Sequence, residues 1–404
     1  MKILFLTENF PPETNAAANR VHERAVFWAK WGHEVSVVTT APNFPKGKIH
    51  EGYANKWYQS EIIDGIKVIR VKTFVSANEG IVLRTIDFLS FMVMGFFASL
   101  FHTRPDVVVA TSPQFFSVVA GWLVGLCRRR PFVFELGDIW PASIIAVGAM
   151  KPSIAIRILE KLELFLYHRS TAIVALTPRF KENLIDRGVD GDKISIVING
   201  VNADMFRKTA RDDALAASWG LQDRFVIGYI GTHGMAHGLS SVLDIASELR
   251  GEENIRFLFV GDGAERESLV ERAKVEGLEN THFVASQPRG KIPKIWSICD
   301  IALIHLRDTP VFAEVIPSKI FEAMAMGIPI LLVAPKGIAS DIVLSTRAGI
   351  WIPSEKPDRF AKLVAALPHR KRLLRQLSRN GIKASARFGR RRQAEEMLQT
   401  LEIA

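Results

Sequence analysis

Two carboxylates eight residues apart, Glu314 and Glu322, flank a lysine in the stretch E-V-I-P-S-K-I-F-E-A-M-A-M-G-I-P over residues 314–329. The punctuation of the stretch says what holds each one. Pro317 suits the first turn of a helix, where its φ is preset and its missing N–H would have had no partner. Gly327 suits the residue just past the last turn, and Pro329 after it cannot continue a helix. Glu314 is therefore expected in the loop entering a short helix, and Glu322 inside that helix. Backbone N–H groups near Ser318, Lys319 and Ile320 then point out of the helix start unpaired. Lys319 adds a full positive charge, which makes the helix start an anion site. Ser318 and Glu322 are four apart and share one face. A phosphate at the helix start, with hydroxyls against the carboxylates, is the chemistry of a nucleotide sugar. The plain alternative is an amphipathic helix with solvated acids.

These residues need a scaffold, and the chain supplies one twice. Short β-rich runs recur with helical segments between them, at 2–7, 35–40, 66–71, 107–111, 132–135, 171–176 and 194–198 in the first half. The second half repeats the scheme at 225–230, 256–260, 282–284, 301–304 and 328–333. Several are continuous apolar runs, as expected of parallel strands buried on both faces, and the alternation predicts two doubly wound α/β domains. Asn199-Gly200-Val201-Asn202 carries turn residues after a strand and marks the boundary. The expected domains are 1–200 and 201–385, with 386–404 a terminal helix returning to the first. Ligands in such sheets bind beyond the carboxyl ends of the strands, so the chemistry belongs to the loops there and to a cleft between the domains.

Four such loops stand out, one of them the L-G-D-I-W-P segment after 132–135. After the first strand, Asn15 either caps the following helix or offers its side-chain amide to a phosphate. After 225–230 comes G-T-H-G-M-A-H-G, whose glycines permit close backbone approach to phosphate, with Thr232, His233, Gly234 and His237 as donor-side candidates. After 256–260 comes V-G-D-G-A-E, including Gly263; its missing third glycine argues against a dinucleotide fingerprint. Asp190-Gly191-Asp192 resembles a metal-holding D-x-D but is explained by turn chemistry.

Composition narrows the setting. A chain of 404 residues with 48% apolar content can fill two cores. Its two cysteines, Cys127 and Cys299, form no disulfide or zinc pattern, which suits a reducing cytoplasm. The opening apolar run is too short for a signal peptide. The run 86–101, interrupted by Asp87 and Gly95, falls short of the ~20 residues that cross a bilayer. It is read as either a buried core helix or a membrane-surface helix, with Phe88, Leu89, Phe91, Met92, Phe96 and Phe97 as its apolar surface. The net charge is +10, and residues 369–392 hold ten Lys or Arg and no acid. Without aromatic–basic interleaving, nucleic acid is not expected as a partner. An anionic membrane surface is, with Arg84 and Arg128-Arg129-Arg130 flanking the apolar run; a solvated helix face is the alternative.

The E-x7-E spacing, with E-A-M-A-M-G-I-P around it, resembles glycosyltransferase family 4, retaining enzymes of the GT-B fold. The resemblance runs from the first strand to the basic C-terminal helices. It implies two Rossmann-like domains facing a central cleft, with Glu314 at the donor sugar, Glu322 at the ribose, and Lys319, Ser318 and Ile320 at the diphosphate. V-I-N-G-V-N-A-D-M-F is similar to the family's hinge, with Asn202 where Asp is usual. Thr14-Asn15-Ala16-Ala17 stands where a Gly-Gly pair is common, and His237-Gly238 where Lys-Gly is expected.

L-G-D-I-W-P resembles the R-D-L-W-P of a bacterial polysaccharide branch. There Asp138 is expected to face the reacting hydroxyl, or to serve as a turn residue, and Gly137 replaces an Arg. Together with N-F-P-P-E-T, A-P-N-F-P-K-G-K and I-P-S-K-I-F-E, the resemblance implies a nucleoside-diphosphate sugar donor. A UDP-sugar is the expected form, including deoxyamino sugars such as N-acetylfucosamine. The implied acceptor is an undecaprenyl-diphosphate-linked oligosaccharide for O-antigen or capsule. The implied enzyme needs no metal or cofactor and works peripherally on the inner face of the cytoplasmic membrane. Two rival readings remain: a nucleotide-sugar 2-epimerase of related fold, and a non-catalytic subunit binding sugar nucleotides or phospholipid.

Overall fold

The computed structural model describes residues 1–44, 47–75, 81–112, 114–146, 150, 153–354 and 356–404. Pro45 and Lys46, in the A-P-N-F-P-K-G-K phrase, lie outside the described residues. The chain forms two units, Met1–Asn199 with Arg390–Ala404, and Gly200–Gly389.

The first unit holds β1 (Lys2–Leu6), β2 (Glu34–Thr40), β3 (Tyr58–Ile63), β4 (Ile66–Val71), β5 (Val107–Thr111), β6 (Phe132–Leu136), β7 (Ala172–Ala175) and β8 (Ile194–Ile196). They form one sheet in the order β3-β4-β2-β1-β5-β6-β7-β8. All pairs are parallel except β3 with β4. The sequence reading misses β3. Its residues alternate between exposed and half-buried, so no apolar run announces it. The available signal was Asp64-Gly65, both at positive φ (50° and 82°), the dipeptide of a tight two-residue hairpin turn.

Helices Ile81–Leu100, Phe115–Arg128 and Ile154–Arg169 cover one face of this sheet. Ala16–Lys30 and the C-terminal Arg390–Ile403 cover the other. The terminal helix is fixed by buried polar bonds as well as by Met397 and Leu401. Trp28 Nε1 donates to the Ala394 carbonyl at 2.9 Å. Arg390 donates to Glu23 at 2.8 Å and to Asn199 Oδ1 at 2.7 Å. A buried guanidinium with carboxylate and amide partners is costly to break, since removing one partner strands a charge.

The second unit holds β9 (Phe225–Ile230), β10 (Ile255–Val260), β11 (Thr281–Val284), β12 (Ile301–His305), β13 (Ile330–Val333) and β14 (Gly349–Ile352). The sheet is parallel throughout, in the order β11-β10-β9-β12-β13-β14. The winding direction reverses between β9 and β12. That reversal leaves a crevice beyond their carboxyl ends, the place where doubly wound sheets take ligands.

Candidate active site

The loops after β9 and β10 meet over this crevice. Gly261, at φ 152°, comes so close to the first loop that a Cβ would lie 1.9 Å from the Gly231 carbonyl oxygen. A Cβ on Gly263 would lie 2.5 Å from the His233 carbonyl. Both glycines thus serve the packing of loop on loop. The Thr232 carbonyl accepts from the Tyr229 hydroxyl at 2.6 Å. Gly234 caps a short 3-10 turn, Met235–His237.

Lys319 lies beneath these loops. Its Nζ is 3.8 Å from the centre of the Tyr229 ring and has no hydrogen-bond partner. A Cβ on Gly231 would be 2.9 Å from it. Burial lowers the amine to about 7 despite the counter-pull of Glu322. His233 is fully buried, with both ring nitrogens unpartnered. Burial, then the charges of Lys319 and Arg266, bring it down to about 4. His237 falls to about 3, mainly by burial and then by Lys319. Both imidazoles are therefore neutral at pH 7.

The His237 ring also turns inward. Its Nδ1 lies 3.4 Å from the His305 carbonyl, while His305 Nδ1 lies 2.7 Å from the His237 carbonyl. It is tied to the end of β12, unlike the fixed cation expected at that position. Between this pair and Lys319, only the amine can carry charge near neutral pH.

The helix Lys319–Met326 ends as the glycine punctuation predicts, with Gly327 at φ 67° after it, but it begins two residues beyond Pro317, which precedes the capping Ser318 instead of lying in the first turn. Two further details differ from the sequence reading. Glu314 closes a 3-10 turn, Pro310–Glu314, instead of lying in open loop. The Ile320 N–H is occupied, donating to the Pro317 carbonyl at 3.1 Å, because the first turn tightens to 3-10 form. Ser318 and Lys319 N–H groups remain for an anion.

Glu322 is buried and already engaged. One oxygen accepts from Arg289 Nη1 at 2.6 Å and the other from Trp296 Nε1 at 3.3 Å. Each carboxylate oxygen has a second lone pair, so capacity for a hydroxyl remains. Arg289 also stacks its guanidinium 4.6 Å over the Phe206 ring. Arg289 and Trp296 are site residues that sequence reasoning missed, because nothing in their spacing ties them to Glu322.

In the first unit, Asp138 follows β6. The N–H groups of Gly137 and Asp138 both point to Ser112 Oγ, at 2.9 and 3.3 Å, and that hydroxyl lies 3.1 Å from the Asp138 carbonyl. Burial raises the Asp138 carboxyl, opposed by hydrogen bonds from Ser143 and the Ile139 N–H. The turn also explains Gly137. A Cβ there would lie 2.3 Å from the Ser112 carbonyl and 2.8 Å from Arg20 Nη2. Arg20 and Arg24 both donate to buried Glu135. Burial would push that carboxyl up, but the two guanidiniums outweigh it and hold it at about 2.

Asn15 Oδ1 accepts from the Ala18 N–H at 2.9 Å, which makes it a helix cap and leaves only its amide to donate. A second unpredicted feature lies in the same loop. Glu13 accepts from the Asn43 and Phe44 N–H groups at 2.8 and 2.9 Å, yet burial raises it to about 7. Glu8 is pushed well up by burial and by Asp87 and Glu13.

Asp190 accepts from the Asp192 N–H at 2.9 Å and caps a 3-10 turn. Among the described residues no group of three or more His, Cys, Asp or Glu is placed to hold a metal ion.

Comparison with known proteins bears on the fold and the family. Residues 212–384 match the family described as glycosyl transferases group 1, and residues 15–200 match the glycosyl transferase 4-like domain. Escherichia coli K12 WcaI, named for glycosyl transfer in colanic acid biosynthesis, is 25% identical over 376 residues, spanning 91% of each chain. A GDP-mannose-dependent alpha-mannosyltransferase of Mycobacterium tuberculosis is 23% identical, spanning 91% of this chain and 88% of its own. Among solved structures, Anabaena HepE in complex with UDP-glucose superposes with a TM-score of 0.75 at 19% identity, covering both chains fully. WaaG, a lipopolysaccharide biosynthesis glycosyltransferase, superposes at 0.70 and 13%, covering 99% of each chain. With two parallel-sheet Rossmann-like units of the GT-B class and both halves matched, the chain belongs to the group 1 glycosyltransferases, enzymes that use nucleotide sugars.

Proposed function

We propose that this enzyme is a retaining glycosyltransferase that moves a sugar from a UDP-sugar to an undecaprenyl-diphosphate-linked oligosaccharide. Its setting would be bacterial surface polysaccharide synthesis at the inner face of the cytoplasmic membrane. The observation that carries the reading is Lys319. A buried amine with no partner, at a helix start with two free N–H groups, is a site whose missing component is an anion. Glu322 on the same helix suits a ribose, and Glu314 at its entrance suits the donor sugar.

In the proposed reaction the C1–O bond to the diphosphate breaks ahead of bond formation, giving an oxocarbenium-like centre. Lys319 and the Ser318 and Lys319 N–H groups take the charge growing on the departing phosphate, a role worth several kcal/mol where such donors are preorganised. We assign that role to them instead of to a metal ion. Asp138 is assigned to the acceptor hydroxyl, taking its proton as the new C1–O bond forms on the face the phosphate left. Burial raises the carboxyl, and a raised carboxyl is a stronger proton acceptor than a solvated one. The Anabaena HepE structures, in complex with UDP and with UDP-glucose, favour uridine. The mycobacterial relative's GDP-mannose is the specific reason to keep GDP-sugars in the test.

The test is a panel of UDP- and GDP-sugars with and without bacterial membrane lipid extract. One UDP-sugar should be consumed only with extract, with label moving into the organic phase and the donor's anomeric configuration kept. Conversion of donor alone to an epimer would favour the 2-epimerase. Tight UDP binding with no turnover on any donor would favour a binding subunit.

A further inference from the structure

The first unit leaves a broad apolar face uncovered. Helix Ile81–Leu100 turns Phe91, Gly95 and Ser99 inward, one every four residues. It turns Leu83, Ile86, Leu89, Val93 and Phe97 outward, each 37–50% exposed, and Phe101 just past its end is 88% exposed. Over residues 83–100 only 17% of the stretch is buried, and by length and composition it could cross a membrane. It does not leave the unit, however: it packs on helix Phe115–Arg128 and on β2 and β4, lying along the sheet.

The apolar surface continues beyond it. Helix Ile154–Arg169 covers the same sheet face, joined through Trp122 and Phe165, whose rings meet edge-on at 5.2 Å. It exposes Ile154 (78%) and Ile158 (60%). The run 86–101, read from sequence as either a core helix or a surface helix, has a face of each kind: Phe91 is core, while Leu89 and Phe97 are surface.

The charges around this face are mostly positive. Arg84, Arg129, Arg157, Lys161 and Arg169 are exposed on or beside the three helices. Asp87 is raised by burial to about 7, and Glu163 is buried in a bond with Arg187. Among the described residues Glu160 is the acid that remains. Arg128 is not part of this set. Its Nη2 donates to the carbonyls of His102, at 3.0 Å, and Leu100, capping the end of helix Ile81–Leu100.

We infer that this three-helix face docks on an anionic lipid bilayer, its apolar residues entering the headgroup–acyl boundary and its cations meeting headgroup phosphates. The inference deepens, and rests on, the reading that the acceptor is lipid-linked. Charge complementarity selects the bilayer. A second copy of this chain would set like charges against like across a two-fold axis, whereas an anionic surface pairs with every one of them. Apolar stripes of this extent are rare on surfaces that stay in water.

The experiment is co-sedimentation with vesicles of phosphatidylcholine alone or with phosphatidylglycerol, at low and high salt. The wild type should pellet with phosphatidylglycerol vesicles at low salt and release substantially at high salt. The double substitution Leu89→Ser, Phe97→Ser should lower the bound fraction at least tenfold with UDP affinity and melting unchanged. Arg129→Glu with Arg157→Glu should weaken binding only to the anionic vesicles. Variants that bind as the wild type does would overturn the assignment of this face, even if the protein is membrane-bound. Wild type that ignores vesicles but dimerises, with Phe97→Ser breaking the dimer, would make the occupant a second copy. Transfer to a lipid acceptor in detergent separates the two claims. If the wild type fails there but binds vesicles through this face, the lipid-acceptor reading falls and the docking face stands.

Discussion

Lys319 puts a price on the anion site that can be measured without any substrate. Burial moves its amine from 10.5 to about 7. At about 1.4 kcal/mol per unit, that places roughly 4–5 kcal/mol against the folded state wherever the unfolded chain holds the proton and the folded one resists it. The sign follows from proton counting. Between pH 7 and 10.5 the unfolded state binds more protons, so stability rises with pH there, and the full cost applies below pH 7. Lys319→Met keeps the length of the stem, removes the amine, and places a sulfur near the Tyr229 ring, a favourable contact. Glu322 loses little, because Arg289 and Trp296 still hold it. The variant should therefore be more stable than the wild type by about 4 kcal/mol at pH 7, and by about 1 kcal/mol or less near pH 10. Urea unfolding followed by tryptophan fluorescence, with Trp296 a buried reporter in the same unit, reads both values. The same variant should lose donor turnover by about 10²–10³-fold, the usual loss when an oxyanion donor is removed. A variant no more stable than the wild type, or a stability gap that does not change with pH, would refute the reasoning.

Glu322→Gln should weaken free UDP binding by about 1.5–3 kcal/mol, the range for a hydrogen bond to a charged group, whereas Glu322→Ala should also lower the melting temperature by stranding Arg289 and Trp296; equal melting of the two variants would contradict the contacts. Gly137→Ala should destabilise by about 1–3 kcal/mol through the overlap with the Ser112 carbonyl and should displace the Asp138 turn, read as lower stability with lower turnover. Asp138→Asn should keep donor binding and lose most turnover, since it keeps shape and removes basicity; full activity in a steady-state assay would leave Asp138 a turn residue.

Most of the fold was legible because strands buried on both faces read as apolar runs, and β1, β5, β9 and β12 are of that kind. The exposed hairpin strand β3 carries no such run, and the G-I-W-I strand β14 is only four residues long and mostly half-buried. The helix Lys319–Met326 was legible because Pro317 and Gly327 act locally. What each side chain meets was not. Arg289 reaches Glu322 from thirty-three residues away, His237 folds back on His305, and Gly137 is small because Ser112 and Arg20 crowd it. Arg128 belongs to a basic run in the sequence, yet its guanidinium caps the end of helix Ile81–Leu100. Local punctuation writes secondary structure, while long-range packing decides the partners.

The central claim is that a diphosphate is the missing partner of Lys319, and calorimetric titration of UDP and uridine tests it most directly. UDP should bind much more tightly than uridine to the wild type, and Lys319→Met should bring the two close together. Above pH 7, where the terminal phosphate of UDP is already ionised, UDP binding must bring a proton to the amine. Its affinity should therefore fall as pH rises, by up to about tenfold per unit, while uridine stays level. Equal affinities for UDP and uridine, or UDP binding unaffected by Lys319→Met, would contradict the account.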